Sequence, residues 1–205
     1  MMNTELFDQA AGTWDLTDRR VALAHGVTEA IKGAVALTGD LSVLDFGCGT
    51  GLVTLALAPL VGAITGADTS SGMLATLADK ARAQAVLVAL RQLAAGSDLD
   101  LGGPYDLIVS SMTLHHVADV AALFRQFRQH LRPGGRLALA DLDQEDGSFH
   151  DDATGVQHAG FSRADIRTWL ADAGLVEIEI RTATVTRKED RDYPVFLALA
   201  GRPSE

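Results

Sequence analysis

The chain has 205 residues, 47% of them hydrophobic, with a formal net charge of −10, an isoelectric point near 4.9 and a mean hydropathy of +0.14. That is apolar material for one sizeable core and not for two, so one domain over residues 1–205 is expected and disorder is excluded. The acidic balance provides no footprint for a phosphate backbone or an anionic lipid surface, so neither nucleic acid nor membrane is expected as a partner.

The single cysteine, Cys48, rules out an intramolecular disulfide. The start, Met1-Met2-Asn3-Thr4-Glu5, lacks the basic and apolar regions of a secretory leader. The longest apolar stretch, 52–67, is broken by Pro59 and Gly62 and reads as a helix followed by a strand rather than a membrane span. The expected setting is soluble and cytoplasmic.

In chain order, residues 4–37 read as two amphipathic helices split near 15–18. Leu6, Phe7, Ala10 and Trp14 lie on one face of the first, and Val21, Leu23, Val27 and Ile31 on one face of the second. They precede the first strand, so residues 1–40 are expected to form a cap over one edge of the sheet. Strands are predicted at 42–46, 63–67, 86–90, 107–110 and 136–140, alternating with helices at 52–61, 71–83 and 119–131. Short apolar strands each followed by a helix indicate a parallel sheet covered on both faces, a doubly wound α/β fold over residues 41–205. A polar loop at 141–152 carries Asp141, Asp143, Glu145, Asp146, Asp151 and Asp152. A helix over 163–173 follows, then strands at 176–186 and 195–200 joined by a charged turn at 187–192, which make an antiparallel hairpin.

Chemistry concentrates in Val43-Leu44-Asp45-Phe46-Gly47-Cys48-Gly49-Thr50-Gly51. Glycines at a strand-to-helix turn let the backbone approach a ligand closely, and the free N–H groups of the new helix face the same spot. The spacing is G-x-G-x-G rather than the G-x-G-x-x-G of dinucleotide sites. Asp45, just ahead of the loop, repels a diphosphate and attracts an amino group, so a zwitterionic amino-acid moiety suits the loop better. Asp68 stands about twenty residues further on, at the end of the second strand, where a carboxylate takes the two hydroxyls of a ribose. The alternative for Asp68 is a cap on the helix beginning near Ser70. Met73, one turn into that helix, has a flexible thioether suited to an adenine face or, equally, to core packing.

These stretches, with Gly66-Ala67-Asp68-Thr69-Ser70, Tyr105-Asp106-Leu107-Ile108-Val109-Ser110-Ser111, Leu114-His115-His116-Val117 and Leu131-Arg132-Pro133-Gly134-Gly135, resemble the class I S-adenosylmethionine-dependent methyltransferases of the small-molecule type. The motifs cover residues 41–140, and the terminal hairpin is similar to the end of that family's seven-stranded sheet. The resemblance implies S-adenosyl-L-methionine as cofactor, S-adenosyl-L-homocysteine as product and a small-molecule methyl acceptor. It places Asp45 on the methionine amino group, and Phe46, Gly47, Gly49 and Thr50 along the amino-acid and ribose parts. Asp68 with Thr69 falls on the ribose, and Ser110 or Ser111 with Met112 near the sulfonium. Family members usually carry an acidic residue after the third strand to read the adenine amino group. Here the stretch is Arg91-Gln92-Leu93-Ala94, so Gln92 and the backbone of Leu93 take that contact.

His115 and His116 are the candidate catalytic pair, since an imidazole acts as a base near neutral pH. The competing reading gives one a backbone hydrogen bond and the other a packing role. His150 and His158 beside the acidic residues invite a metal site, but no H-E-x-x-H spacing is present. A solvated loop over the active-site mouth, with Trp14 and Phe161 as apolar walls of an acceptor pocket, is expected instead, and no metal. Two rival functions share the loop: a nicotinamide-dependent oxidoreductase, opposed by Asp45 and the glycine spacing, and a cofactor-binding regulatory module without turnover. No pattern names an O-, N-, S- or C-acceptor, the net charge disfavours acidic ones, and the oligomeric state is left open.

Overall fold

The computed structural model describes residues 4–94 and 99–205; Met1–Asn3, part of the start read above, lie outside them. Seven strands form one sheet: β1 (Ser42–Phe46), β2 (Ala63–Asp68), β3 (Ala89–Gln92), β4 (Tyr105–Ser111), β5 (Leu131–Leu142), β6 (Val176–Lys188) and β7 (Arg191–Gly201). Their order is β3-β2-β1-β4-β5-β7-β6. The first five are mutually parallel, and β7 runs antiparallel to both β5 and β6. The doubly wound sheet with a C-terminal hairpin is therefore as expected. The strand order reverses between β1 and β4, which opens a cleft at their carboxyl ends.

The helices are α1 (Thr4–Ala10), α2 (Asp18–Lys32), α3 (Leu52–Leu57), α4 (Ser71–Ala83), α5 (Val120–His130) and α6 (Arg163–Asp172). Three start on a side-chain oxygen that accepts a backbone N–H: Ser70 from Met73, Asp119 from Ala122 and Ser162 from Asp165. Such a cap satisfies one orphan donor of the first turn, worth about 1 kcal/mol. On α5, Val120, Leu123, Phe124 and Phe127 are buried, the i, i+3, i+4, i+7 stripe of a helix lying on a sheet.

Alternate residues of each strand feed opposite faces. On one face Leu44, Phe46, Ile108, Leu137, Leu139 and Phe196 pack with Phe124 and Phe127 of α5 and with Ile166 and Leu170 of α6. On the other, Val43, Leu107, Val109, Ala138, Ala140 and Leu197 meet Leu23, Val27 and Ile31 of α2 and Val53 and Leu57 of α3. Burying each of the large side chains contributes on the order of 1.5–3 kcal/mol.

Several local expectations shift. The third strand begins at Ala89, not 86, because Ala85, two residues past the end of α4, turns the chain through the left-handed region and it then has to reach the sheet edge. The hairpin turn contracts to Glu189 and Asp190, since the ladder continues through Arg187↔Asp192 and Lys188↔Arg191. Asp141 belongs to β5 and is buried rather than part of a solvated loop. The amino-terminal cap divides its work. Helix α2 is one layer of the core, while α1 and the 3₁₀ segment Ala11–Leu16 reach over to α4. No helix among the described residues is long and apolar enough to cross a membrane.

Candidate functional site

A cavity of about 430 Å³ opens at the carboxyl ends of β1, β2 and β4, where the strand order reverses. Its wall includes Asp45, Phe46, Gly47, Gly49, Thr50, Asp68, Thr69, Met73, Leu93, Ser111 and His116. Eleven of the fourteen residues expected at the site thus share one cavity.

Asp45, one residue before the end of β1, points towards α3, is buried, and accepts a hydrogen bond from the Thr54 hydroxyl at 2.5 Å. Burial pushes its carboxyl up to about 7, helped by the charge of Asp68 and opposed by the Thr54 donor. Asp68 accepts from Gly49 N–H and Ser70 N–H, both at 2.9 Å. Burial raises it too, against the pull of those backbone donors. Neither carboxylate has a Lys, Arg or His partner within ion-pair distance among the described residues. Two carboxylates on one wall with no cationic partner, one buried and one half-buried, make a site that favours a cation and hydroxyl donors. Asp68 is also the brace that joins the glycine loop to Ser70, and Ser70 rather than Asp68 caps α4.

The loop between those carboxylates is closely fitted. Gly47 and Gly49 have φ of +71° and +53°. A Cβ on Gly47 would strike Thr113 Oγ1 at 2.2 Å, whereas one on Gly49 would meet only Met73 Sδ at 4.0 Å. Gly47 is therefore glycine for packing, and Gly49 is glycine on the open cavity side. Met112, the residue after β4, sits at φ +56° and also lines the cavity, a backbone strain of the kind held at functional sites.

Three expected residues lie elsewhere. Ser110 is buried, and its hydroxyl donates to Phe46 O at 2.8 Å, locking β4 to β1, while Ser111 takes the wall position. Strand alternation accounts for this, because neighbours face opposite ways. Gln92 is on the exposed edge strand and donates to Thr69 O at 3.4 Å, leaving Leu93 alone on the cavity wall. His115 is buried behind the wall, with Nδ1 2.7 Å from Asp141 Oδ1 and its backbone N–H on Oδ2. Burial drives the Asp141 carboxyl up, but His115 and the N–H groups around it outweigh this and hold it below the usual range.

His116 faces the cavity and its Nδ1 is 3.0 Å from Gly155 O, which fixes Nδ1 as the donor and leaves Nε2 with the lone pair. Burial and the neighbouring His115 lower its pKa to about 4, so it is neutral at pH 7. The His115 ring is 4.2 Å from His116 and 4.8 Å from His150. Of the proposed walls, Trp14 lines the cavity, while Phe161 packs against Trp169 and Phe196 in the core. His158 Nε2 meets Val117 O at 2.9 Å. The acidic residues are used to fasten the segment after β5. Asp143 pairs with Arg163, Asp146 with Arg191 and Asp151 with Lys188. Among the described residues no group of three or more His, Cys, Asp or Glu is arranged to hold a metal ion.

Other cavity features had weaker sequence signals. Asp8 of α1 accepts from Ser70 Oγ at 2.6 Å and Gly72 N–H at 2.8 Å, at the start of α4. Asp15 accepts from Thr50 Oγ1 and pairs with Lys80 Nζ, both at 2.6 Å. These two carboxylates clasp the amino-terminal segment onto α4 and the glycine loop. Arg19 and Arg20 also line it, with Arg20 stacked 3.8 Å over Trp14. One local signal pointed to the arginines: two cations in the first turn of a helix oppose its dipole.

A family model described as a methyltransferase domain matches residues 16–180. An uncharacterised methyltransferase of Schizosaccharomyces pombe is 31% identical over 156 residues, covering 68% of this chain and 55% of that protein. The 2-phytyl-1,4-naphtoquinone methyltransferase of Synechococcus elongatus is 34% identical over 148 residues, covering 67% of this chain and 62% of that one. The chain spans about half the length of the curated relatives it matches. Among solved structures, Haemonchus contortus phosphoethanolamine N-methyltransferase 2, in complex with phosphomonomethylethanolamine and S-adenosylhomocysteine, shares the fold. Its TM-score is 0.71 at 16% identity, covering 86% of this chain and 52% of that one.

Proposed function

This chain belongs to the methyltransferase domain family, and from that premise we propose that it transfers the methyl group of S-adenosylmethionine to a small organic acceptor. The observation that carries this reading is a pair of carboxylates with no cationic partner, buried Asp45 and half-buried Asp68, flanking Gly49 in one cavity. A cofactor with an ammonium group, a ribose diol and a sulfonium supplies the positive charge and the hydroxyl donors that this wall lacks. Asp45 would accept from the ammonium, Asp68 from the ribose hydroxyls, and Leu93 with Met73 would contact the adenine. Residues 1–40 then act as the cap over a 41–205 core, closed on the cofactor side by Asp8 and Asp15.

When bound, the cofactor brings a methyl group already activated for in-line displacement, and its sulfur keeps the bonding electrons as a neutral thioether. The chain's own share is to orient the acceptor, exclude water and take a proton. His116 Nε2 is the group suited to that last task, while the Asp141–His115 pair behind it holds the turn that presents His116. Because His116 stays neutral down to about pH 4, kcat at saturating cofactor should be level from pH 5 to 8 and fall only near pH 4.

Transfer of a labelled methyl group to a panel of small phenols, amines, thiols and acids tests the reading. The wild-type chain is expected to methylate at least one member. His116→Ala should lower kcat by about 10²–10⁴ with cofactor affinity unchanged. Cofactor binding with no transfer to any member would instead leave a cofactor-binding module.

A further inference from the structure

Beyond the glycine loop the cavity continues into a compartment that the cofactor contacts above do not use. Its wall carries Arg19, Phe149 and His150, with Trp14 and Leu23 beside them. The Arg19 guanidinium lies 5.0 Å over the Phe149 ring, and its Nη1 is buried with no hydrogen-bond partner. The His150 ring stands edge-on to the same phenyl ring at 4.9 Å, and its Nε2 is likewise buried and unpartnered. Asp151, the carboxylate that feels the charge of Arg19, is held by Lys188 at 2.5 Å. Buried polar groups in folded proteins are nearly always hydrogen-bonded, so two such nitrogens beside one ring mark a place for a ligand.

We propose that this compartment binds a carboxylate of the acceptor molecule, with the Arg19 guanidinium and His150 Nε2–H as donors and Phe149 and Trp14 as walls for its apolar body. The proposal rests on the methyl-transfer reading of the cavity and names the substrate class for it: an aromatic or alicyclic monocarboxylic acid, anchored by its carboxylate and methylated elsewhere. A guanidinium presents two parallel N–H groups that match the two oxygens of a carboxylate. A phosphate dianion would carry a second charge towards Asp151 and Asp152, which share this wall. The cofactor's own carboxylate is the other source of such an anion. Arg19, however, rests on the segment after β5, whereas Asp45 on β1 owes its raised value to burial and the charge of Asp68, and Asp68 on β2 to burial and the charge of Asp8. The net charge of −10 argued against acidic acceptors at long range. At contact distance the unpaired guanidinium decides.

The test is calorimetry on protein saturated with S-adenosylhomocysteine, titrated with benzoate, benzamide or phenyl phosphate. Benzoate is expected to bind at least about tenfold more tightly than benzamide, as a charge-assisted pair provides. Arg19→Gln should erase that preference without changing S-adenosylhomocysteine affinity, which also reports that the variant is folded, and His150→Phe should reduce it. Equal affinity for benzoate and benzamide overturns the proposal, as does a preference for phenyl phosphate. Loss of S-adenosylhomocysteine affinity in Arg19→Gln would assign the anion to the cofactor and overturn it too. If the wild-type chain fails to bind S-adenosylhomocysteine at all, the underlying reading falls; if it binds and benzoate is not preferred, only this inference does.

Discussion

Asp45→Asn is expected to make the ligand-free protein more stable at pH 8 and to remove most of its affinity for the cofactor. The carboxyl of Asp45 is raised from 3.8 to about 7 by burial, with Asp68 adding to it and Thr54 opposing it. The sign follows from linkage. Between those two values the folded state holds a proton that the unfolded chain releases, so stability falls as pH rises through this window and stays low above about 7. At about 1.4 kcal/mol for each pH unit, the cost at pH 8 is on the order of 4 kcal/mol. Asparagine keeps an oxygen for the Thr54 hydroxyl and removes the charge. Melting curves should show the variant's advantage growing from pH 5 to pH 8 and vanishing by pH 4. Cofactor affinity should fall by at least about thirtyfold, since truncating one side of a buried charge pair costs 2–5 kcal/mol. In the wild type, affinity should rise with pH and level off above about 7, and in the variant it should be flat. A variant destabilised at every pH would make Asp45 a structural group instead.

Gly49→Val should keep the fold and abolish cofactor binding. A Cβ at Gly49 meets nothing closer than Met73 Sδ at 4.0 Å, so the new side chain enters cavity space rather than neighbouring atoms. The φ of +53° adds a backbone cost of about 1–2 kcal/mol for a residue with a Cβ, which a domain of this size tolerates. Affinity for S-adenosylhomocysteine is expected to drop about a hundredfold or more while the melting transition stays cooperative. Gly47→Val supplies the contrast. Its Cβ would lie 2.2 Å from Thr113 Oγ1, so that variant should lose the fold along with binding. Unchanged affinity in Gly49→Val would remove the glycine loop from the cofactor site.

What the sequence made legible was local. Short apolar strands, serine and aspartate caps, and the glycine run with Asp45 and Asp68 each carry their meaning within a few residues, and they placed the sheet and the cavity wall. Alternation along β4 was legible only in part: Ser110 and Ser111 look alike in sequence, and which one faces the cavity is set by register against β1. Asp141 reads as the first residue of an acidic loop, yet β5 runs on through it because β7 pairs that far. The reach of Asp8 to Gly72 and of Asp15 to Lys80 spans more than sixty residues, and no pattern in the chain announces it. Arg19 and Arg20 are the instructive case. Their place in the first turn of α2 contradicts the helix dipole, and such local conflicts tend to mark functional positions.

The account centres on the cavity between Asp45, Gly49 and Asp68 as the seat of S-adenosylmethionine. Calorimetric titration of the wild-type chain with S-adenosylhomocysteine at pH 8, where Asp45 is ionised, addresses that claim most directly. The account predicts saturable one-to-one binding that Gly49→Val removes. A folded, cooperatively melting wild-type protein that gives no heat of binding would contradict it.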